Sequence, residues 1–167
     1  MLLCVAGGRR NHGQGEGMRH ENGQQRPLVM LVDDDVTIAD MYRLGLTHAG
    51  FNVRHLESPE ALFRALREQL PDILVLDWQM PGMNGAEALE LIRMDDRTRR
   101  LPVFMLSNFL GDQNGAVDRV FAAGALAWLR KSVTPPSALA QRLADALDGY
   151  RSSYQDHDVT TATSTSQ

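Results

Sequence analysis

Apolar residues along the chain group into two kinds of segment. Short continuous apolar runs, rich in Val, Ile, Leu and Phe, are typical of buried strands. Longer stretches between them carry apolar residues at every third or fourth position, which is typical of amphipathic helices. The runs predict strands at 28–32, 51–56, 72–77, 102–106 and 125–129, and the stretches predict helices at about 38–49, 58–69, 85–95, 113–123 and 134–150.

Cap and turn residues support these boundaries. Ser58-Pro59-Glu60 predicts a helix start, because Ser caps the first turn, Pro fits its backbone and Glu faces the positive end of the helix dipole. Gly50 and Gly124 follow predicted helices and are typical of helix ends. Asn52 and Arg54 interrupt the second run, which predicts that this strand lies at a sheet edge.

Five strands that alternate with five helices predict one α/β domain. Consecutive parallel strands need long crossover connections, so the pattern predicts a parallel sheet covered by helices on both faces. The predicted domain covers residues 27–150. The polar, aperiodic segments 1–26 and 151–167 are predicted to be disordered tails.

Composition narrows the classes of function. A hydrophobic share of 43% is enough for a core, and a net charge of −4 argues against a nucleic-acid-binding surface. No apolar run is long enough to cross a membrane. The single cysteine, Cys4, rules out a disulfide within the chain. With no signal-peptide pattern at the start, these features predict a cytoplasmic protein.

The basic residues of the chain are almost all arginine. The chain has sixteen arginines and one lysine, Lys131. Arginine is a broad planar fork, whereas lysine is a compact point charge on a flexible stem. A single lysine among so many arginines favours a specific role for Lys131.

Polar residues stand at the ends of four predicted strands: Asp33 and Asp34, Asp77, Ser107, and Lys131. Parallel strands end at the same edge, so these groups are expected to converge. Two carboxylates ~4 Å apart repel by about 4 kcal/mol at an effective dielectric near 20, so the cluster predicts a bound cation. Oxygen ligands favour Mg²⁺. An ammonium and a hydroxyl beside such an ion suit a phosphoryl group, with the central carboxylate, Asp77, as nucleophile.

The same residues resemble the motifs of a known family. The sequences LVDDD at 31–35, LDWQMPGMNG at 76–85, MLSN at 105–108 and the segment from Gly124 through Trp128 to Lys131 are similar to the receiver domain of two-component response regulators. The resemblance covers roughly Pro27 to Tyr150 and is to stand-alone, chemotaxis-regulator-like receivers. It implies a flavodoxin-like, doubly wound sheet with strand order 2-1-3-4-5.

The resemblance also implies a metal-dependent phosphoacceptor. Asp77 would accept the phosphoryl group. Asp34 would hold Mg²⁺ directly and Asp33 through water, together with Asp77 and the backbone carbonyl of Gln79. Mn²⁺ would be an alternative ion.

Two further roles follow from the resemblance. Ser107 would hydrogen-bond the phosphoryl group and Lys131 would pair with it, while Ser107 and Trp128 would form a switch. The implied function is that of a single-domain response regulator, a signalling protein rather than an enzyme. Its partners would be a histidine kinase or histidine phosphotransfer protein and an unknown downstream protein, with no nucleic acid and no membrane. A homodimer through the fourth helix, fifth strand and fifth helix is left open.

The chain departs from the family pattern in the loop after the lysine and beside Ser107. Ser132 stands where the family has a proline, often after a cis bond, and Asn108 is larger than the usual residue. These departures leave open a pseudo-receiver that binds partners without phosphorylation. A second alternative is a haloacid-dehalogenase-type phosphatase with Asp33 as nucleophile and Asp35 as acid/base.

Overall fold

A five-stranded parallel sheet forms the centre of the protein, in the order β2-β1-β3-β4-β5. The computed structural model describes residues 25–108 and 115–158. The predicted parallel sheet and its strand order are confirmed, and the strand with Asn52 and Arg54 lies at an edge. The strands are β1 (Leu28–Val32), β2 (Asn52–Leu56), β3 (Ile73–Leu76), β4 (Val103–Ser107) and β5 (Ala127–Arg130).

Helices cover both faces of the sheet, as predicted for a doubly wound fold. They are α1 (Val36–His48), α2 (Pro59–Glu68), α3 (Gly85–Met94), α4 (Ala116–Ala122) and α5 (Pro136–Asp158). One core cluster joins the sheet to α2, α3 and α4 through residues such as Leu62, Leu89 and Val120. The other joins it to α1 and α5 through residues such as Leu46 and Leu143. The sheet is therefore buried on both sides, which is why its central strands are continuous apolar runs.

The strand register sets where the polar residues emerge. Val32, the last residue of β1, pairs with Leu76, the last residue of β3. Asp33 and Asp77 therefore leave the sheet at the same level on neighbouring strands. The Asp77 N–H donates to the carbonyl of Val32 at 2.9 Å, which fixes the start of the turn after β3.

Three of the helices that begin at this edge of the sheet, α1, α2 and α3, start with a side-chain cap. Asp35 accepts hydrogen bonds from the N–H groups of Thr37 and Ile38 at the start of α1. Ser58 caps α2, as predicted. Asn84 and Glu87 form a reciprocal capping box at α3. These caps satisfy backbone donors that the first turns leave unpaired.

Most predicted boundaries differ from the structure by one or two residues, and three differences stand out. Strand β5 runs from Ala127 to Arg130 rather than over 125–129, because the Ala125 N–H is used to close α4 on the carbonyl of Val120. Helix α4 begins at Ala116, and its predicted start near 113 lies outside the described residues. Helix α5 continues to Asp158, past the predicted domain end at 150, because polar residues can extend a helix that tertiary packing has already nucleated.

Gly85 is the tightest glycine near the acidic strand ends. A Cβ at this position would clash with the carbonyl oxygen of Asp77 and lie 2.6 Å from the Cε of Met105. We expect Gly85→Ala to destabilise the protein by about 1–3 kcal/mol, because the first turn of α3 would have to move away from β3. Urea unfolding would measure the change.

Gly149 offers a matched control for this prediction. It lies within α5, and a Cβ there would meet nothing within 4 Å. We expect Gly149→Ala to be neutral or to stabilise by up to about 1 kcal/mol, because Ala loses less backbone entropy in a helix. Equal stability of the Gly85→Ala variant and the wild type would contradict the close packing of α3 on β3.

Candidate functional site

Three carboxylates meet at the carboxyl end of the sheet. One oxygen from each of Asp33, Asp34 and Asp77 lies within 4.8 Å of the others. Asp33 and Asp77 are buried, whereas Asp34 faces solvent. The structure thus brings together the three acids that the sequence placed at the ends of β1 and β3.

The ammonium of Lys131 lies between the two buried acids. Its Nζ is 2.6 Å from Oδ2 of Asp33 and 3.0 Å from Oδ2 of Asp77, and its side chain is only 5% exposed. The contact with Asp33 is an ion pair without a well-directed hydrogen bond. Removing Lys131 would leave two buried carboxylates without a compensating charge, and breaking a buried pair in this way typically costs about 3–5 kcal/mol. The lone lysine therefore holds the two acids together.

Asp77 combines an ion pair on one oxygen with an unsatisfied second oxygen. Its Oδ1 is buried and accepts no hydrogen bond within the described part of the chain. Burial raises the pKa of Asp77 above its usual range, Lys131 opposes that rise, the neighbouring charge of Asp33 adds to it, and a backbone hydrogen bond from Gln79 lowers it. A buried oxygen of this kind is an available acceptor for a cation, a ligand or a water molecule, because an unpaired polar atom in the interior is costly.

Asp33 is fixed by its backbone as well as by Lys131. Its Oδ1 accepts the N–H of Asp35 at 3.1 Å, and its carbonyl lies 2.8 Å from Nε2 of His55 on β2. The sequence analysis did not identify His55. Nothing in the local pattern marked it, since only the pairing of β2 with β1 brings this ring to Asp33.

Asp35 differs in role from the two acids before it. Its side chain accepts hydrogen bonds from Thr37 and Ile38 at the start of α1, at 3.0 and 3.1 Å. This is a helix-cap position. The geometry gives no support to the alternative in which Asp35 acts as the acid/base of a phosphatase.

The loop after β5 carries Lys131 in a short 3-10 turn, Lys131–Val133. None of the described peptide bonds is cis, so the loop is built without the cis bond that is frequent in the family.

The buried hydroxyl of Tyr42 donates toward the carbonyls of Thr134 at 2.7 Å and Lys131 at 3.2 Å. Burial, and then the charge of Asp33, raise the pKa of Tyr42. From the sequence, Tyr42 was placed only within the predicted helix at about 38–49.

Ser107 and Trp128 lie on the two strands at the far side of β3. Ser107 ends β4 and is fully buried, and it is paired in register with Arg130 of β5. Trp128 is half-buried on β5, and its ring centroid lies 5.2 Å from that of Trp78. Trp78 directly follows Asp77. The two indoles are therefore in contact, a proximity that the sequence did not predict.

The site's donor set fits a hard divalent cation. Three carboxylates and one ammonium leave an excess of negative charge, and each of the three acids offers a carboxylate oxygen as a ligand. Carboxylate oxygens on one solvent-facing and two buried residues leave room for the waters that Mg²⁺ retains.

The chain matches the family model described as the response regulator receiver domain over residues 29–144. The match covers more than half of the chain, and the chain belongs to this family. The doubly wound fold and the strand-end acids described above agree with that assignment.

Individual relatives support the assignment. The chain is 35% identical over 116 residues to the phosphate regulon transcriptional regulatory protein PhoB of Rhizobium meliloti (strain 1021), covering 69% of this chain and 50% of that protein. It resembles the structure of chemotaxis protein CheY4 of Vibrio cholerae at 26% identity and a TM-score of 0.65, covering 72% of this chain and 98% of that one. The chain spans about half the length of the curated relatives it matches.

The helices within residues 25–108 and 115–158 were compared with the requirements for a membrane span. None of the helices described there combines the length and the apolar character that a bilayer span requires.

The raised pKa of Asp77 gives a pH-dependent prediction for the metal-free protein. Ionisation of Asp77 is less favourable in the folded chain than in the unfolded chain, because its pKa is raised from the ordinary value of 3.8. The free energy of unfolding therefore falls as the pH rises from about 3.8 through the pKa of the folded state. We expect Asp77→Asn to melt higher than the wild type in EDTA at neutral pH, with the difference shrinking toward about pH 4. Thermal unfolding across this pH range measures it.

Asp96→Asn is the control for this experiment, because the Asp96 side chain is 92% exposed. We expect this variant to follow the wild-type melting curve at every pH. A lower melting temperature for Asp77→Asn than for the wild type at neutral pH would show that the Lys131 ion pair outweighs the burial of Asp77.

The donor set also predicts stabilisation by Mg²⁺. Binding to the folded state alone stabilises it by about 2.7 kcal/mol when the free ion is at 100 times its dissociation constant. We expect the wild type and Asp96→Asn to gain this stability, and Asp34→Asn to lose most of it. An equal Mg²⁺-dependent rise in melting temperature for all three proteins would contradict a site that uses Asp34.

Proposed function

We propose that this chain is a response regulator receiver that accepts a phosphoryl group on Asp77 in a Mg²⁺-dependent reaction. The observation that carries the proposal is the state of the Asp77 carboxylate. Its Oδ2 is paired with Lys131 at 3.0 Å, while its buried Oδ1 has no hydrogen-bond partner among the described residues. An ionised, under-solvated carboxylate oxygen beside a cation is suited to attack phosphorus.

The proposed step transfers the phosphoryl group from a phosphohistidine. A bond forms between phosphorus and Oδ1 of Asp77, and the phosphorus–nitrogen bond breaks with its electron pair returning to the imidazole. Lys131 then pairs with a phosphoryl oxygen, and the hydroxyl of Ser107 donates to another. Both residues neutralise charge that the transferred group carries into a buried site.

Receiver domains generally bind Mg²⁺, and the acids of this chain could hold it. We propose Asp34 and Asp77 as direct ligands, Asp33 as a ligand through water and the backbone carbonyl of Gln79 as a further oxygen. The bound ion would supply positive charge that neutralises the phosphoryl oxygens. The negative excess of the described cluster supports this assignment.

The expected result of phosphorylation is a changed protein surface rather than a released product, so the protein acts as a phosphoacceptor and not as an enzyme. Ser107 and Trp128 are the proposed switch. Their strands, β4 and β5, are hydrogen-bonded neighbours in the sheet. This pairing supports the proposal that a shift of Ser107 changes the position of Trp128. A ligand shifts such an equilibrium only through contacts that differ between the two states, and the phosphoryl group provides them at Ser107.

The face formed by α4, β5 and α5 is the proposed site for a downstream protein or a second copy of the chain. Phe121 and Leu126 are exposed there at 46% and 41%. A groove of about 640 Å³ lies beside Leu126 and Ala127, between β5 and the α5 residues Arg142 and Ala146. Exposed apolar side chains beside a groove are suited to protein contact.

The proposed domain covers residues 27–150, with a histidine kinase or histidine phosphotransfer protein as donor. Such a donor implies a cytoplasmic location, which the single cysteine also favours. The main alternative is a pseudo-receiver that binds partners without phosphorylation, since Ser132 departs from the family pattern.

The proposal predicts covalent labelling by a small phosphodonor. With acetyl phosphate and Mg²⁺ we expect the wild type to gain the mass of one phosphoryl group in intact-mass spectrometry. Asp77→Asn should gain none, because its side chain lacks the nucleophilic carboxylate. Asp96→Asn, changed at an exposed acid, should be labelled like the wild type.

Two results would contradict this prediction. Full labelling of Asp77→Asn with loss of labelling in Asp33→Asn would make Asp33 the nucleophile. No labelling of a wild-type protein that is nevertheless stabilised by Mg²⁺ would favour the pseudo-receiver.

A further inference from the structure

We propose that Tyr42 is a positioning residue for Lys131, acting through the backbone of the loop that carries the lysine. Tyr42 lies on α1 and is fully buried. Its hydroxyl is 2.7 Å from the carbonyl oxygen of Thr134 and 3.2 Å from that of Lys131. One O–H group therefore faces both ends of the loop.

Side chains anchor this loop only at its two ends, through the buried Lys131 and Thr134. Ser132 and Val133 are both exposed, and Val133 is 61% exposed although it is apolar. Thr134 is buried and its carbonyl accepts the shorter of the two Tyr42 contacts. Between Lys131 and Thr134 the described chain thus has no buried side chain as an anchor, and the tyrosine hydroxyl takes that position.

Helix α1 connects this anchor to the acids. The Asp35 cap starts α1, and the Asp35 N–H donates to Oδ1 of Asp33 at 3.1 Å. Gly45, one turn beyond Tyr42, lets Pro136 at the start of α5 pack directly against α1, since a Cβ at Gly45 would clash with it. Helix α1 therefore holds Asp33 at its start and the Lys131 loop along its side.

The ion pairs of Lys131 depend on the position of this loop, because one ammonium must contact two carboxylates at the same time. Its Nζ must reach Oδ2 of Asp33 at 2.6 Å and Oδ2 of Asp77 at 3.0 Å at once. A backbone shift of the loop would lengthen both contacts. Burial raises the pKa of Tyr42, so the phenol remains a hydrogen-bond donor at neutral pH.

The single lysine makes the inference directly measurable. An amine-selective acylating reagent can modify only one side chain in this sequence, Lys131, and peptide mass spectrometry separates that adduct from the one on the terminal amine. The ratio of the labelling rates in urea-unfolded and native protein gives the protection of Lys131. We expect strong protection in the wild type, because the side chain is 5% exposed.

Tyr42→Phe is the test variant, because it removes the hydroxyl and keeps the buried ring. We expect it to lower the protection of Lys131 about tenfold, the effect of losing one buried hydrogen bond that holds the closed loop. Tyr150→Phe is the matched control, since it removes a phenol hydroxyl from the later part of α5. Its Lys131 should be protected as in the wild type.

Leu46→Ala separates positioning from general loss of stability. Leu46 is fully buried on the same helix, and its truncation leaves a cavity without touching the hydroxyl. We expect it to lower the melting temperature more than Tyr42→Phe and to expose Lys131 less. Wild-type protection in Tyr42→Phe, or equal exposure of Lys131 in Leu46→Ala, would overturn the inference.

A second readout rests on the proposed function. Tyr42→Phe should slow phosphorylation by acetyl phosphate about tenfold in the wild-type background and have no further effect in Lys131→Ala, because both changes act through the same ammonium. Equal slowing in both backgrounds would overturn the route through Lys131. A wild type that takes no phosphoryl group would refute the proposed function instead, and the labelling result would still decide the role of Tyr42.

Discussion

The contact of one ammonium with two buried carboxylates is the interaction on which the rest of the site depends. Lys131 reaches Asp33 at 2.6 Å and Asp77 at 3.0 Å, where water is largely excluded. Without it, two like charges would face each other at the end of neighbouring strands, and the fold would have to expel or protonate one of them. The sheet register brings the acids together, and the lysine makes that arrangement compatible with folding.

Compensation by Lys131 is only partial. Three carboxylates meet one ammonium, the pKa of Asp77 remains raised, and its Oδ1 has no hydrogen bond within the described residues. A site built for stability alone would satisfy these groups. We interpret the remaining negative charge as the physical basis for binding a cation, and the unsatisfied oxygen as the basis for accepting a phosphoryl group.

Much of this arrangement could be predicted from local sequence. The strands are uninterrupted apolar runs, Ser58-Pro59 marks a helix start, and the acids stand directly after two such runs, so parallel pairing alone places them at one edge. Membership of the response regulator receiver family follows from the same motifs.

The features that sequence analysis missed depend on contacts between distant segments. His55 reaches Asp33 across the β1–β2 pair, and Tyr42 reaches Thr134 across 92 residues of sequence. Tyr42 was predicted only as part of a helix at about 38–49, because the spacing of apolar residues indicates a helix but not which partner a hydroxyl on that helix finds. The length of α5 was also missed, because its last turns lack the stop signals on which a boundary prediction relies.

Among the acids at the ends of β1 and β3, Asp77 is the one that we propose accepts the phosphoryl group. Borohydride reduction tests it most directly, because it converts an aspartyl phosphate to homoserine and leaves free carboxylates unchanged. After treatment with acetyl phosphate and Mg²⁺, we predict homoserine at position 77 in the peptide map and unmodified aspartate at positions 33, 34 and 35. Homoserine at any of those three positions instead of 77, or at none of the four, would contradict the account.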